Sequence, residues 1–342
     1  MTPPTTRAAA VLLLCSLLAA AAAAAPSGED RCHPDDKAAL LAIKAALSNP
    51  HRFASWTPDT SCCDWLEVDC DIYTGRVTHL TVVGDGSLAG AIPDAVGDLA
   101  HLEYLDLSHL RGLSGPIPPA LTRLANLSAL TISWTAVSGP VPAFLSELAA
   151  LAALDLSHNA LAGAIPASLA RLPGLVSLDL RHNRLTGALP PLLFSRLPPG
   201  EKAHLTLSRN NLTGGVPAAW ARVMFQEVDL SENALAGDAT ALFGKGKPLR
   251  YLDLYRNGFS FNLSEVELPE EQLNYVDLSH NAIYGGIPAQ AANLTDLSVF
   301  DVSYNQLCGE VPGGMDGFDA DMFEHNKCLC GAPLPPCDST DD

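Results

Sequence analysis

Apolar residues recur along this chain with a long period. The segment from Leu151 to Pro166, LAALDLSHNALAGAIP, returns 24 residues later as Leu175 to Pro190. Its asparagine recurs at Asn159, Asn183, Asn210, Asn233, Asn257, Asn281 and Asn305, and after Asn183 the intervals are 27, 23, 24, 24 and 24. Three earlier copies keep the glycine and proline (Gly90/Pro93, Gly115/Pro118, Gly139/Pro142) but carry Asp85, Leu110 and Thr135 at the asparagine position. The alternation in Leu154-Asp155-Leu156 predicts a short strand with one face buried and one wet. The Asn159 amide is expected to satisfy backbone groups of the following bend, Leu161, Ile165 and Leu169 to fill the interior, and Gly163 to permit close backbone approach. One such unit cannot bury its own apolar face, whereas a stack shares a continuous core. About ten coils are therefore predicted over residues 76–323, with their strands in a parallel sheet on the concave side.

A stack leaves two apolar ends open, and the cysteines lie at both. Cys15 falls in a leader, residues 1–25, in which Arg7, an apolar centre and an alanine run read as a secretory signal. The other eight are Cys32, Cys62, Cys63 and Cys70 in an amino-terminal cap (residues 26–75), and Cys308, Cys328, Cys330 and Cys337 in a carboxy-terminal cap (residues 308–337). An even number in an exported chain points to disulfides, and neither Cys62-Cys63 nor Cys328-Leu329-Cys330 has the spacing of zinc ligands. Local pairing would give Cys32–Cys62, Cys63–Cys70, Cys308–Cys328 and Cys330–Cys337; spacing alone leaves other connectivities open. Asp35 to Leu47 reads as an amphipathic helix, with Trp56 and Trp65 available to plug the first coil. Capped ends argue for a monomer, and residues 338–342 form a short acidic tail.

The net charge of -18 argues against nucleic acid and favours a basic partner or simple solubility. Beyond the leader no stretch has the length of a membrane span, so a secreted, extracellular protein is expected. Sequons at Asn126, Asn211, Asn262 and Asn293 fit that route; Asn211 directly follows the structural Asn210, which sets it against modification.

The repeat L-x-x-L-x-L-S-x-N-x-L-x-G-x-I-P resembles the plant extracellular type of leucine-rich repeat. The flanks are more specific. Cys62-Cys63-Asp64-Trp65 with Cys70, the ten repeats, Gly237-Asp238-Ala239 with Leu242-Phe243-Gly244, and the ending Asn326-Lys327-Cys328-Leu329-Cys330-Gly331-Ala332-Pro333-Leu334-Pro335-Pro336-Cys337 resemble the polygalacturonase-inhibiting proteins of plant cell walls. The resemblance spans the mature chain. It implies a right-handed leucine-rich-repeat solenoid, of α/β repeat class, that binds fungal endopolygalacturonases, with insect enzymes as a further class, through its concave face. A soluble receptor-like module that binds a peptide or receptor kinase is the competing reading.

The water-facing strand positions read Thr81, Asp106, Thr131, Asp155, Asp179, Thr206, Asp229, Asp253, Asp277 and Asp301, an acidic strip suited to Lys and Arg around a cleft that holds an anionic polymer. The alternative is that each aspartate serves its own turn. The resemblance places Asp155, Val176, Ser177, Asp179, Arg181, Asp229 and Arg250 at contact positions. Arg181 and Arg250 depart toward positive charge, which bears on which enzymes are inhibited. Trp134 and Tyr104 are candidate aromatic anchors. Arg209 and Arg256 match a basic row that contacts pectin in the family, here interrupted by Glu232 and His280 and expected to bind weakly. His158 and His182 stand in adjacent coils but have no third ligand, so neither metal nor cofactor is expected. An enzyme is not expected either: carboxylates one or two coils apart overlap glycosidase separations, but an open wet face lacks the burial that splits their pKa values.

Overall fold

The computed structural model describes residues 31–84, 86–269 and 272–337. The leader, Asp85 and the acidic tail lie outside the described residues. Ten parallel strands, from Val77–Val83 to Val299–Asp301, pair in sequence order, and an antiparallel strand, Val68–Cys70, extends the sheet at its amino-terminal edge. A second sheet of eight short parallel strands, Ala89–Gly90 to Gly258–Phe259, follows the asparagine turns. Most coils return through a 3-10 turn such as Ala167–Arg171.

The core follows the repeat. Leu154, Leu156, Leu161, Ile165 and Leu169 are all buried. Extra residues between Asn183 and Asn210 are absorbed in turns, and Asp179 still pairs with Thr206. The asparagine amides hold successive coils together. Asn183 Nδ2 donates to the carbonyls of Leu156 (2.9 Å) and Leu180 (3.1 Å), and its Oδ1 accepts the Leu161 amide (3.0 Å). The asparagines overlap, since Leu156 O also accepts from Asn159 and Leu180 O from Asn210, so the buried carbonyls of each turn are shared between neighbouring coils. Asn326, in the cysteine cap, repeats the pattern toward Val302, Phe323 and Leu307. Where asparagine is missing, the Thr135 hydroxyl donates to Asn159 Oδ1 of the next coil. Gly163 departs from expectation: a Cβ there would meet nothing within 4 Å, and its φ of +84° is what demands glycine.

Both caps close as expected, with disulfides Cys32–Cys62, Cys63–Cys70, Cys308–Cys328 and Cys330–Cys337. The helix is Pro34–Ala46, one residue earlier than the sequence suggests, because Pro34 occupies its first turn and His33 caps it. Its buried Asp36 accepts from Arg76 Nε (2.9 Å), Arg76 Nη2 (2.7 Å) and the Val77 amide (2.8 Å), fastening the cap to the first coil. Trp56 and Trp65 are buried and stack 5.6 Å apart.

Candidate partner-binding face

Strand pairing in register turns one position per coil into a row. Thr81, Asp106, Thr131, Asp155, Asp179, Thr206, Asp229, Asp253, Asp277 and Asp301 pair successively, as the period requires. The row was expected to be wet, but all seven of its aspartates are half-buried. Stacked neighbours, with larger side chains such as Tyr251 and Tyr275 on one flank, remove water from them. One oxygen of most is engaged by the amide two residues on: Ser157 to Asp155 (2.8 Å), Arg181 to Asp179 (3.0 Å), Ser231 to Asp229 (3.0 Å), Tyr255 to Asp253 (2.9 Å), Ser279 to Asp277 (2.9 Å) and Ser303 to Asp301 (2.9 Å). The local-turn role is therefore real for these six, leaving Oδ2 as the oxygen outside that bond. Asp106 differs, since its Oδ1 is buried without a hydrogen-bond partner.

Burial sets the electrostatics. It raises the Asp179 carboxyl to about 6, against the Arg181 amide and with Asp155 adding repulsion. It raises Asp253 to about 7, with Asp229 and Asp277 adding to the shift and the Tyr255 amide opposing it. Asp106 and Asp277 are raised for the same leading reason. The expectation that this face cannot perturb carboxylates is overturned: the concave curve dehydrates them.

Next to this row, two residues along each strand, stand Ser108, Ser133, Ser157, Arg181, Ser208, Ser231, Tyr255, Ser279 and Ser303. Small serines between Arg181 and Tyr255 leave an open depression of about 450 Å³, lined also by His182, Arg209, Asp229, Glu232, Asp253 and Asp277. On the other side of the aspartates, Tyr251 and Tyr275 stack at 4.4 Å. Neither tyrosine was singled out from the sequence, although the same register, read two residues earlier, contains both.

The cations are largely spoken for. Arg181 Nε lies 3.3 Å from Asp179 Oδ2, and Arg209 Nε donates to Glu232 Oε1 at 2.5 Å. Arg256 is exposed and lies 5.3 Å from the Tyr255 ring centroid, with His280 edge-on to the same ring at 5.3 Å. Arg250 is apart from the depression and lines a second one, about 460 Å³, with Gln272, Asn274 and Asp296. Val176 and Ser177 are half-buried at the start of the fifth-coil strand, where Ser177 pairs with Ala153 and His204.

A rim row follows the strands. His109, Trp134, His158, His182, Arg209, Glu232, Arg256, His280, Tyr304 and His325 all have φ between 50° and 59°. His158 and His182 stack at 4.1 Å, and burial followed by mutual repulsion lowers His158 to about 4. Among the described residues the one trio of potential metal ligands within 4.8 Å is Cys32, Cys62 and Cys63, whose sulfurs are in disulfides. The sequons lie away from the aspartate row. Asn126, Asn211 and Asn293 are exposed, and Asn211 opens the strand Asn211–Gly214 directly after buried Asn210. Asn262 is engaged: its Oδ1 accepts Ser264 Oγ (2.6 Å) and its Nδ2 donates to Glu265 (2.8 Å).

Comparison with known proteins agrees with this architecture. A leucine rich repeat N-terminal domain matches residues 33–71 and a leucine rich repeat matches residues 140–185. A polygalacturonase inhibitor of Pyrus communis is 50% identical, over 91% of this chain and 94% of its own length. One from Vitis vinifera is 49% identical, over 91% and 93%. The crystal structure of a plant ice-binding protein superposes with a TM-score of 0.86 at 44% identity, over 91% of this chain and 99% of that one. With half its residues shared along nearly the full length of such relatives, the chain belongs to the polygalacturonase-inhibitor family of leucine-rich-repeat proteins.

Proposed function

We propose that this protein is a secreted, non-enzymatic inhibitor that binds fungal endopolygalacturonases, and insect ones as a further class, through its concave face, limiting pectin breakdown in the plant cell wall. The observation that carries the reading is the in-register row of half-buried carboxylates in a chain that matches a polygalacturonase inhibitor over 91% of its length. Asp106, Asp155, Asp179, Asp229, Asp253 and Trp134 form the contact surface, with Val176, Ser177, Arg181 and Arg250 at its edge. A basic side chain entering the depression between Arg181 and Tyr255 would meet Asp229 and Asp253. Loss of water from a stacked acid row is unfavourable without a partner cation, so association relieves repulsion as well as forming contacts. Arg181 neutralises Asp179 in the free protein, which restricts the enzymes that fit. Pectin contact through Arg209 and Arg256 is weak, because Glu232 already holds Arg209.

The test is inhibition of reducing-end release from polygalacturonate by a panel of fungal endopolygalacturonases, using the secreted, folded protein. At least one enzyme should be inhibited, and Asp155→Ala or Asp179→Ala should weaken inhibition. Failure of the folded protein to inhibit or bind any panel member would refute the reading. The likeness to a plant ice-binding protein over almost its whole length motivates a second reading, ice binding. Thermal hysteresis measured on the same preparation decides it.

A further inference from the structure

We propose that the Trp134 indole, gripped between His109 and His158, is the rigid apolar anchor of the inhibitor complex, with the two imidazoles acting as positioning residues. The proposal rests on the inhibitory reading above.

Of the four tryptophans, Trp56, Trp65 and Trp220 are buried, whereas Trp134 is 41% exposed. Solvent exposure of so large a ring is unfavourable, yet its conformation is not loose. His109 stacks on one side at 5.5 Å and His158 on the other at 3.7 Å, and His158 continues to His182 at 4.1 Å. The backbone of this rib is pinned as well: His109 N donates to Ser133 O (2.9 Å), Trp134 N to Ser157 O (3.2 Å) and His158 N to Arg181 O (2.9 Å). With stacked rings on either side, the indole perimeter is what solvent or a partner meets.

A side chain ordered before association loses little conformational freedom when it docks, which is how rigid aromatic anchors concentrate binding energy. The neighbourhood specifies the partner patch. Beside the rib the strands carry small, buried Ser108, Ser133 and Ser157, and beyond them lie Asp106 and Asp155. The complementary surface is an aliphatic or aromatic projection of the enzyme bordered by Lys or Arg. Burial, with repulsion from His182, keeps the His158 imidazole neutral down to about pH 4, so its ring meets the indole uncharged in mildly acidic solution.

The test uses a fungal endopolygalacturonase that the wild-type protein inhibits. Trp134→Ala should raise the inhibition constant at least about tenfold, with an unchanged urea midpoint. His158→Phe, which keeps a ring in the stack, should stay within about twofold of wild type. His158→Ala should fall between them and should increase acrylamide quenching of the exposed tryptophan in the free protein. Trp134→Ala inhibiting as well as wild type would remove the anchor, and quenching unchanged in His158→Ala would remove the positioning role. If Trp134→Ala shifts the urea midpoint, Trp134→Lys replaces it, and retained potency there overturns the proposal. A wild-type protein that inhibits nothing fails the functional reading itself, whatever the quenching result.

Discussion

Asp253→Asn should stabilise the free protein and weaken the complex. The Asp253 carboxyl is raised from 3.8 to about 7 by burial first and by Asp229 and Asp277 next. That rise would correspond to about 4 kcal/mol if Asp253 bore it alone, at 1.36 kcal/mol per unit. Part of that rise is repulsion from stacked Asp229 and Asp277 and belongs to the row, not to this carboxyl alone, which leaves roughly 2 kcal/mol at this position. The sign follows from linkage. Between about pH 4 and about pH 7 the folded state holds a proton that the unfolded chain has released, so stability drains as pH rises through that window. Above pH 7 the full penalty is present; near pH 4 there is none. Asparagine is uncharged and nearly isosteric, and its Oδ1 still accepts the Tyr255 amide, which lies 2.9 Å from the wild-type oxygen. Urea unfolding with the disulfides intact should therefore show the variant about 2 kcal/mol more stable at pH 8 and equal to wild type at pH 4. Inhibition of a susceptible enzyme should weaken at the same time, because the partner's cation loses its carboxylate. A variant no more stable than wild type at pH 8 would refute the argument that this face carries unrelieved charge.

Arg181→Ala should broaden the set of inhibited enzymes, since it frees Asp179 from the 3.3 Å ion pair; an unchanged or narrower panel would count against the acidic-strip account. Asn183→Ala should lower stability by about 2 kcal/mol in urea, because it leaves the buried Leu161 amide without a partner and removes one of the two side-chain donors to each of the Leu156 and Leu180 carbonyls. Lys247 is buried with its ammonium on the carbonyls of Trp220, Val223 and Ala241, and burial lowers it to about 8. The folded state thus prefers the neutral amine, and wild-type stability should climb from pH 8 toward 10.5. Lys247→Met should abolish that climb, as read from the difference in urea midpoint between the two proteins.

Most of the fold was legible because the repeat makes local and global demands coincide. Leu154, Leu156, Leu161 and Ile165 need a shared interior, Asn159 needs carbonyls from the preceding coil, and only a stack supplies both. Once the period is known, register follows, and the row Thr81 to Asp301 could be written down in full. Gly163 was misread in its cause because close approach and positive φ leave the same residue in the sequence. Trp134 and His158 were each visible, but their stacking was not. It depends on how χ angles settle at positions with φ near 53°, which a one-dimensional pattern does not encode.

The charge state of the face was hidden for a different reason. Strand alternation says which way Asp253 points but not how much water reaches it, and that depends on residues from several coils. Tyr251 and Tyr275 beside it, Asp229 and Asp277 above and below it, and the concave curve together dehydrate the carboxyl. None of these is near it in sequence except Tyr251. A surface that is acidic by composition can therefore be partly protonated in mildly acidic solution and become fully anionic only as a partner cation approaches. In that case the complex should release protons when it forms near pH 6, in numbers that fall in Asp253→Asn. Measuring enthalpy in two buffers of different ionisation heat would count them. A count of zero would mean that the enzyme docks elsewhere on the solenoid.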